Sequence, residues 1–300
     1  MSEALKIWQD RKEHLEVALA KCSDANQNFV LREHIKGCEQ EIARLQKEAK
    51  QLPEAAINLV IHNWTSEKFD IEPDYTLDWS SHFERDNQVI RKVPSEQVWE
   101  EKLLPQLNEL KKAIYSTSTR LIRFRGKCCL STGLALGAVF PKNGSWVFEV
   151  LQPPPPKKNI WRSDAEPIDN YELRVGNIDF DPNGDSIAFV FNVTGAAQNQ
   201  VIDFIEKQKL PVKKIISVQP PNSPGSTSIA DDREAMAFTI KARNTLKKAL
   251  SDCNVHKTHV FFFGPLGLSI FVGQMLTSVG DIQLYEYTNP GYVLSAKFKT

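Results

Sequence analysis

Three short stretches of this 300-residue chain carry groups with which a protein can hold phosphate. Arg125 leads into Gly126, Lys127 and Cys128, with the hydroxyls of Ser131 and Thr132 close behind. Gly264, Pro265 and Leu266 precede Ser269, and Thr194, Gly195 and Ala196 follow an apolar run. Each stretch stands where a β-like run gives way to a helix-like one. Free backbone N–H groups there point at whatever lies above the strand ends, and a helix N-terminus adds partial positive charge. Trp64, Trp161, Tyr285 and Tyr287 are the aromatic side chains placed to stack on bases, a contact worth about 1–3 kcal/mol per base. The same rings also suit a core or a sheet edge.

Patterns for catalysis are missing. Gly126-Lys127 is followed by Cys128 rather than Ser or Thr, and Leu121 holds the upstream glycine position, so there is no nucleoside-triphosphate loop. G-x-G-x-x-G and H-E-x-x-H are absent, and no G-x-S-x-G surrounds Ser131 or Ser269. His256 and His259 straddle the entry to an apolar strand, which suits the core or the surface better than a metal. Cysteine–histidine pairing is left open by sequence alone. No catalytic residue, metal or cofactor is expected, and the residues describe a binding site.

The elements that must position these groups repeat. Residues 258–287 read as strand, tight loop, helix and strand, and residues 120–151 read the same way. Leu130-Ser131 follow Gly126 at the offsets at which Leu268-Ser269 follow Gly264, which sets the copies 138 positions apart (264 − 126). Amphipathic patterns at 95–115 and 231–251 precede the two copies. A duplicated α/β half follows. The first half begins with a strand at 57–61, a polar loop at 63–73 and an extended piece at 75–79; the second has a strand at 187–193, a helix at 198–208 and a strand at 214–219. This order predicts parallel sheets with right-handed crossovers and a ligand groove outside the carboxyl ends of the strands. The stiff segment QPPPPKKN at 152–159 marks the boundary, giving halves at 56–152 and 160–300. The loop at 220–228 (PPNSPGSTS) is long enough to be functional.

Residues 1–50 carry a separate pattern. Leu5, Trp8, Leu15 and Leu19 keep helical spacing, and Leu31, Ile35, Cys38, Ile42, Leu45 and Ala49 keep a heptad rhythm after a polar break. This predicts a helical hairpin whose apolar face covers the chain's own body or docks on a partner. Lys plus Arg and Asp plus Glu are equal at 37 each, which disfavours a wholesale nucleic-acid or membrane-surface binder. No leader-like start and no spanning apolar run are read, so a cytoplasmic protein is expected. Five cysteines without a C-x-x-C pair suit a reducing compartment.

The run FRGKCCLSTGLALGAVF before WVFEVLQ, the later FFFGPLGLSIFVGQML before DIQLYEY, and LDWSSHF ahead of the first copy together resemble the SAVED domain. That family is the sensor of bacterial cyclic-oligonucleotide defence systems, and the resemblance covers about residues 56–299. It implies two fused subdomains similar to the CRISPR-associated Rossmann fold, with the hairpin in the place usually taken by a fused effector. It also implies that a cyclic oligonucleotide, with cyclic tri- or tetra-adenylate favoured, binds between the halves. Head-to-tail self-assembly and a separate effector recruited through residues 1–50 complete the expectation. The alternative is a ring nuclease acting through Lys127, Ser131 or Thr132. A nucleic-acid regulator dimerising through the heptads is a third reading, which the neutral charge disfavours.

Overall fold

The first unit of the chain, Met1–Ala55, is a pair of helices, α1 (Glu3–Lys21) and α2 (Ala25–Gln51). The computed structural model describes residues 3–22, 24–51, 55–64, 69, 71–83, 85–86, 90–152, 159–289 and 291–299. Trp8, Leu15 and Leu19 of α1 and Leu31, Ile35, Cys38 and Ile42 of α2 are the sheltered positions, as the heptad rhythm predicts. The side chains of Leu5, Leu45 and Ala49 lie outside the described residues. Lys12 fills the gap in the α1 pattern: its stem is half-buried, and its ammonium pairs with Glu39 at 2.9 Å and Glu16 at 3.4 Å. Asp24 Oδ1 caps α2 by accepting from Gln27 N at 2.9 Å.

The second unit, Ala56–Thr300, contains two sheets. The first half runs β1 (Ala56–His62), β2 (Tyr75–Asp78), a ribbon of β3 (Arg85–Asp86) and β4 (Ile90–Arg91), α3 (Glu96–Val98), a π-helical turn (Trp99–Leu103), α4 (Leu104–Tyr115), β5 (Leu121–Lys127), α5 (Leu130–Val139), β6 (Val147–Gln152) and β7 (Asn159–Arg162). The second half runs β8 (Arg174–Asp179), β9 (Ser186–Asn192), α6 (Gln198–Gln208), β10 (Val212–Gln219), α7 (Asp232–Cys253), β11 (Lys257–Phe263), α8 (Leu266–Met275), β12 (Asp281–Thr288) and β13 (Gly291–Lys299). Among the described residues the sheet orders are β2-β1-β5-β6-β7 and β13-β12-β11-β9-β10-β8. β1, β2, β5 and β6 are mutually parallel, as are β9 to β12, so the predicted parallel cores form. β9 (SIAFVFN) is buried along its whole length, as a central parallel strand must be.

Four sequence expectations change. β7 lies beyond the proline-rich segment yet pairs antiparallel with β6, so the chain leaves the first sheet only after Arg162. Proline has no N–H for a ladder, so the segment suits a return between strands rather than a domain boundary. Its residues 153–158 are outside the described set, as are 52–54 of the breaker after α2 and residues 65–68 and 70 of the 63–73 loop. β8 and β13 close the second sheet as antiparallel edges that a βα reading does not reveal. The helix expected at 95–115 is interrupted by the π-helical turn just ahead of Pro105, which has no N–H to continue the α pattern.

The fourth correction is the register of the repeat. α5 and α8 pack in parallel with almost no side chain between them. A methyl on Gly137 would collide with the Ile270 carbonyl oxygen, and one on Gly273 with the Leu134 carbonyl oxygen. Gly133 stands against Ser269 in the same way. The contacts Gly137–Ile270 and Gly273–Leu134 are each other's mirror under an offset of 136 (273 − 137, 270 − 134), Gly133 meets Ser269 at that same offset, and the starts of β5 and β11 (257 − 121) and of α5 and α8 (266 − 130) agree. The glycine match at 138 is a coincidence of composition: Gly126 lies inside β5, whereas Gly264 lies after β11. Gln274 Nε2 fastens α8 to the first half by donating to the carbonyls of Phe140 and Trp146, each at 3.0 Å.

The second sheet has its own apolar cluster around Phe261, Tyr285, Tyr292, Val201 and Ile205. His259 is 1% exposed there, with ring nitrogens 2.9 Å from Tyr285 Oη and 3.2 Å from Ser186 Oγ. Burial, reinforced by Lys257, pulls its pKa from 6.5 down to about 4. Among the described residues no His, Cys, Asp or Glu cluster forms a metal site, and no helix is long and apolar enough to cross a membrane.

Two stability predictions follow from this packing. Gly137→Ala and Gly273→Ala each destabilise the second unit by about 2 kcal/mol, read as a lower melting temperature, whereas Gly37→Ala, with open space around it in α2, leaves that transition unmoved. Equal melting temperatures for all three variants would refute the backbone contact. For His259, the unfolded state takes up the proton first as pH falls, so its contribution is complete above pH 6.5 and is lost towards about pH 4. That loss is about 3 kcal/mol. Denaturant titrations should therefore show a flatter acid limb for His259→Gln than for the wild type; superimposable limbs would exclude it.

Candidate functional site

The parallel packing of α5 and α8 sets their N-termini side by side: Leu266, the first residue of α8, reaches Gly133 in α5. At the α5 end the donors of Cys129, Ser131 and Thr132 are engaged from within. Asn63, one residue past β1, accepts from Cys129 N at 2.7 Å and from Thr132 Oγ1 at 2.9 Å. Glu286 of β12 accepts from both the backbone N and the Oγ of Ser131, each at 2.8 Å. A carboxylate at a helix N-terminus answers the macrodipole as a bound anion would. Burial pushes the Glu286 carboxyl above its usual range, and the donors of Ser131 pull it partly back. The thiols beside it are quiet: burial raises Cys128 well above the ordinary value and Cys129 to about 12.

The α8 end differs. Its only side-chain partner among the described residues is the neutral Gln152 of β6, whose Oε1 accepts from Gly267 N at 3.1 Å. Ser269 spends its hydroxyl on the Leu266 carbonyl at 2.7 Å. Above this end lies a recess of about 20 Å³ lined by Gln152, Trp161, Val193, Thr194, Pro265, Gly225, Ser226, Ser228 and Ile229. That is room for about one water molecule. The loop at 220–228 closes one side, held by Gly225 N donating to Val193 O at 3.1 Å and by Ser228 Oγ donating to the same oxygen at 2.7 Å. Trp161 is 3% exposed, and its indole N–H has no partner among the described residues.

The structure therefore sorts the predicted residues. Trp161, Thr194 and Pro265 meet at the recess, beside Gly195, Gly264, Leu266 and Ser269. Gly126, Cys128, Ser131 and Thr132 surround the α5 end, with Ser131 and Thr132 buried in their own hydrogen bonds. Lys127, at the exposed end of β5, accepts from Asn63 N at 3.4 Å through its carbonyl. Arg125 stands on the opposite face of β5 from the core residue Phe124, 3.9 Å from Glu149, and donates to the Phe124 carbonyl at 3.0 Å. Trp64, Trp161 and Tyr285 are buried, and Tyr287 is half-buried. Trp64 meets Phe83 edge-on at 5.7 Å, Tyr285 stacks on Phe261 at 4.6 Å, and Tyr287 meets Tyr292 at 5.3 Å. Sequence reasoning passed over Gln152, Asn63 and Glu286, whose signal was a lone polar residue at the carboxyl end of an apolar strand.

Comparison with known proteins agrees with this architecture. The chain is 23% identical over 242 residues to CD-NTase-associated protein 4 of Enterobacter hormaechei subsp. hoffmannii, a match covering 79% of this chain and 46% of that protein. It thus spans about half the length of that curated relative. Among solved structures it is similar to the Acinetobacter baumannii Cap4 SAVED/CARF-domain containing receptor with the cyclic trinucleotide 3′3′3′-cAAA, with TM-score 0.67, 17% identity and coverage of 89% of this chain and 56% of that one. The Moraxella osloensis Cap4 receptor gives TM-score 0.59 at 19% identity, covering 84% and 52%. At these identities the likeness shows the fold. The profile of the SMODS-associated and fused to various effectors sensor domain matches residues 103–298, more than half of the chain, and the chain belongs to this SAVED family.

Proposed function

We propose that this protein is a sensor that binds a cyclic oligonucleotide, a cyclic trinucleotide of adenosine before other rings, where its two sheets meet. Binding drives head-to-tail assembly, and the helical hairpin passes the signal to a separate effector in antiphage defence. The observation that carries the binding step is the side-by-side placement of the α5 and α8 N-termini, with the residues following β9 and β11 and the 220–228 loop meeting at a small recess over the α8 end. Donor-rich strand ends of this kind favour phosphate and ribose over apolar ligands. The similar Acinetobacter receptor, described with cAAA, supports the choice of ring. The ring-nuclease alternative gains little from Ser131 and Thr132, which are 1% and 0% exposed, so no phosphodiester reaches their hydroxyls in this arrangement; Lys127, its third candidate, is exposed at the end of β5.

The hairpin's role rests on its own surface. Phe29 is 67% exposed, Ile7 60% and Val30 50%, and these lie off the seam between α1 and α2. Exposed apolar side chains on a two-helix unit suit docking by like-with-like helix packing.

Calorimetric titration with cyclic di-, tri- and tetranucleotides, combined with light scattering, should give tight binding of one ring and growth in mass. Binding of none would remove the proposal. Removing residues 1–50 should leave that affinity within about twofold while abolishing activation of the effector; lost affinity would place the hairpin in the ligand site instead.

A further inference from the structure

The two helix ends at the junction are related by the repeat but are chemically unlike. Ser131 of α5 and Gly267 of α8 are equivalent at the 136-residue offset (267 − 131). Ser131 N faces a carboxylate from the other half of the chain, whereas Gly267 N faces a neutral carboxamide from the other half. At the position equivalent to Glu286 (286 − 136) the first half has Val150, whose side chain lies beside Gly267. The α5 end thus carries a built-in carboxyl group, and the α8 end carries none.

We infer that Glu286 is the residue that makes ligand binding asymmetric: it closes the α5 end to phosphate and leaves the α8 end, with Gln152, as the phosphate position. The inference rests on the proposed cyclic-oligonucleotide site and specifies how that site reads its ligand. One observation beyond the helix end itself supports it. Gln152 carries both an acceptor and a donor, so turning its carboxamide releases Gly267 N–H and presents an N–H₂ group to the same phosphate. An ionised Glu286 has acceptors only and makes no such exchange. A second phosphate approaching Ser131 would meet two carboxylate oxygens in place of the donors it needs, at a separation where like charges repel. A ring with identical phosphates is therefore held in one orientation, phosphate at α8, and the α5 side meets a donor group of the ligand such as a ribose hydroxyl or a base amino group.

The test uses the full chain and two probes. Backbone amide shifts are followed by NMR as inorganic pyrophosphate is added: Gly267 moves and Ser131 stays in the wild type, and both move in Glu286→Gln, which keeps an acceptor for Ser131 and so preserves the fold. In parallel, affinity for the cyclic trinucleotide rises about five- to tenfold in Glu286→Gln and falls more than about tenfold in Gln152→Glu. Movement of Ser131 in the wild type, a still Gly267, or weaker binding by Glu286→Gln overturns the inference. If the wild type binds no cyclic trinucleotide while pyrophosphate moves Gly267 and not Ser131, the proposed function falls and the asymmetry stands.

Discussion

The backbone contact between α5 and α8 is the constraint on which the rest of the second unit depends. Two helices approach at Gly137 and Gly273 so closely that neither position has room for a methyl group. Protein interiors are packed too tightly to absorb such an intrusion locally. In this close approach each helix touches its repeat partner and strands of the other half, α5 beside β11 and β12 and α8 beside β6, so the cores of both halves merge into one cluster that runs from Ile57 and Phe148 to Phe191 and Leu268. Because the helices run in the same direction, both N-termini open at one end. The carboxyl ends of β5 and β11, which feed those helices, are brought to the same place.

That end is held by exchanged polar contacts. Glu286 of the second half caps the helix of the first, and Gln152 of the first half caps the helix of the second. Each cap satisfies N–H groups that a helix leaves unpaired at its start. A ligand settling at this junction competes with contacts that join the halves, which ties occupancy to the geometry between them. On the proposed function, this is how binding a small ring would become a change in the shape of the whole unit. The recess itself holds about 20 Å³, and the 220–228 loop beside it is fastened by hydrogen bonds to the Val193 carbonyl.

Polar groups at the rear of the fold have the opposite character. The His259 ring, Tyr285 and Ser186 form a closed set inside the second apolar cluster, and their cost is offset by mutual hydrogen bonds. Histidine and tyrosine therefore serve packing here. Beside the α5 end Cys129 is buried and Cys128 half-buried, and both are held as thiols.

Much of this was legible from local pattern. Continuous apolar runs marked β1, β9 and β11, heptad spacing marked the hairpin seam, and Asp231 marked the start of α7, where its Oδ1 accepts from Glu234 N at 2.9 Å. These features rest on side-chain periodicity and capping, which act over a few residues. The duplication was visible too, although composition misplaced its register by two positions, because only the facing glycines of α5 and α8 fix which residues are equivalent. What the tertiary structure alone decided was the identity of the site's partners. Glu286 lies 155 residues from Ser131, and Gln152 lies 115 from Gly267. Tyr285 and Trp161, alike in sequence as single rings in apolar runs, part company on folding: one is sealed against Phe261 and the other edges the recess. Sequence specifies which groups are able to bind, and long-range packing determines which of them keep a free valence with which to do so.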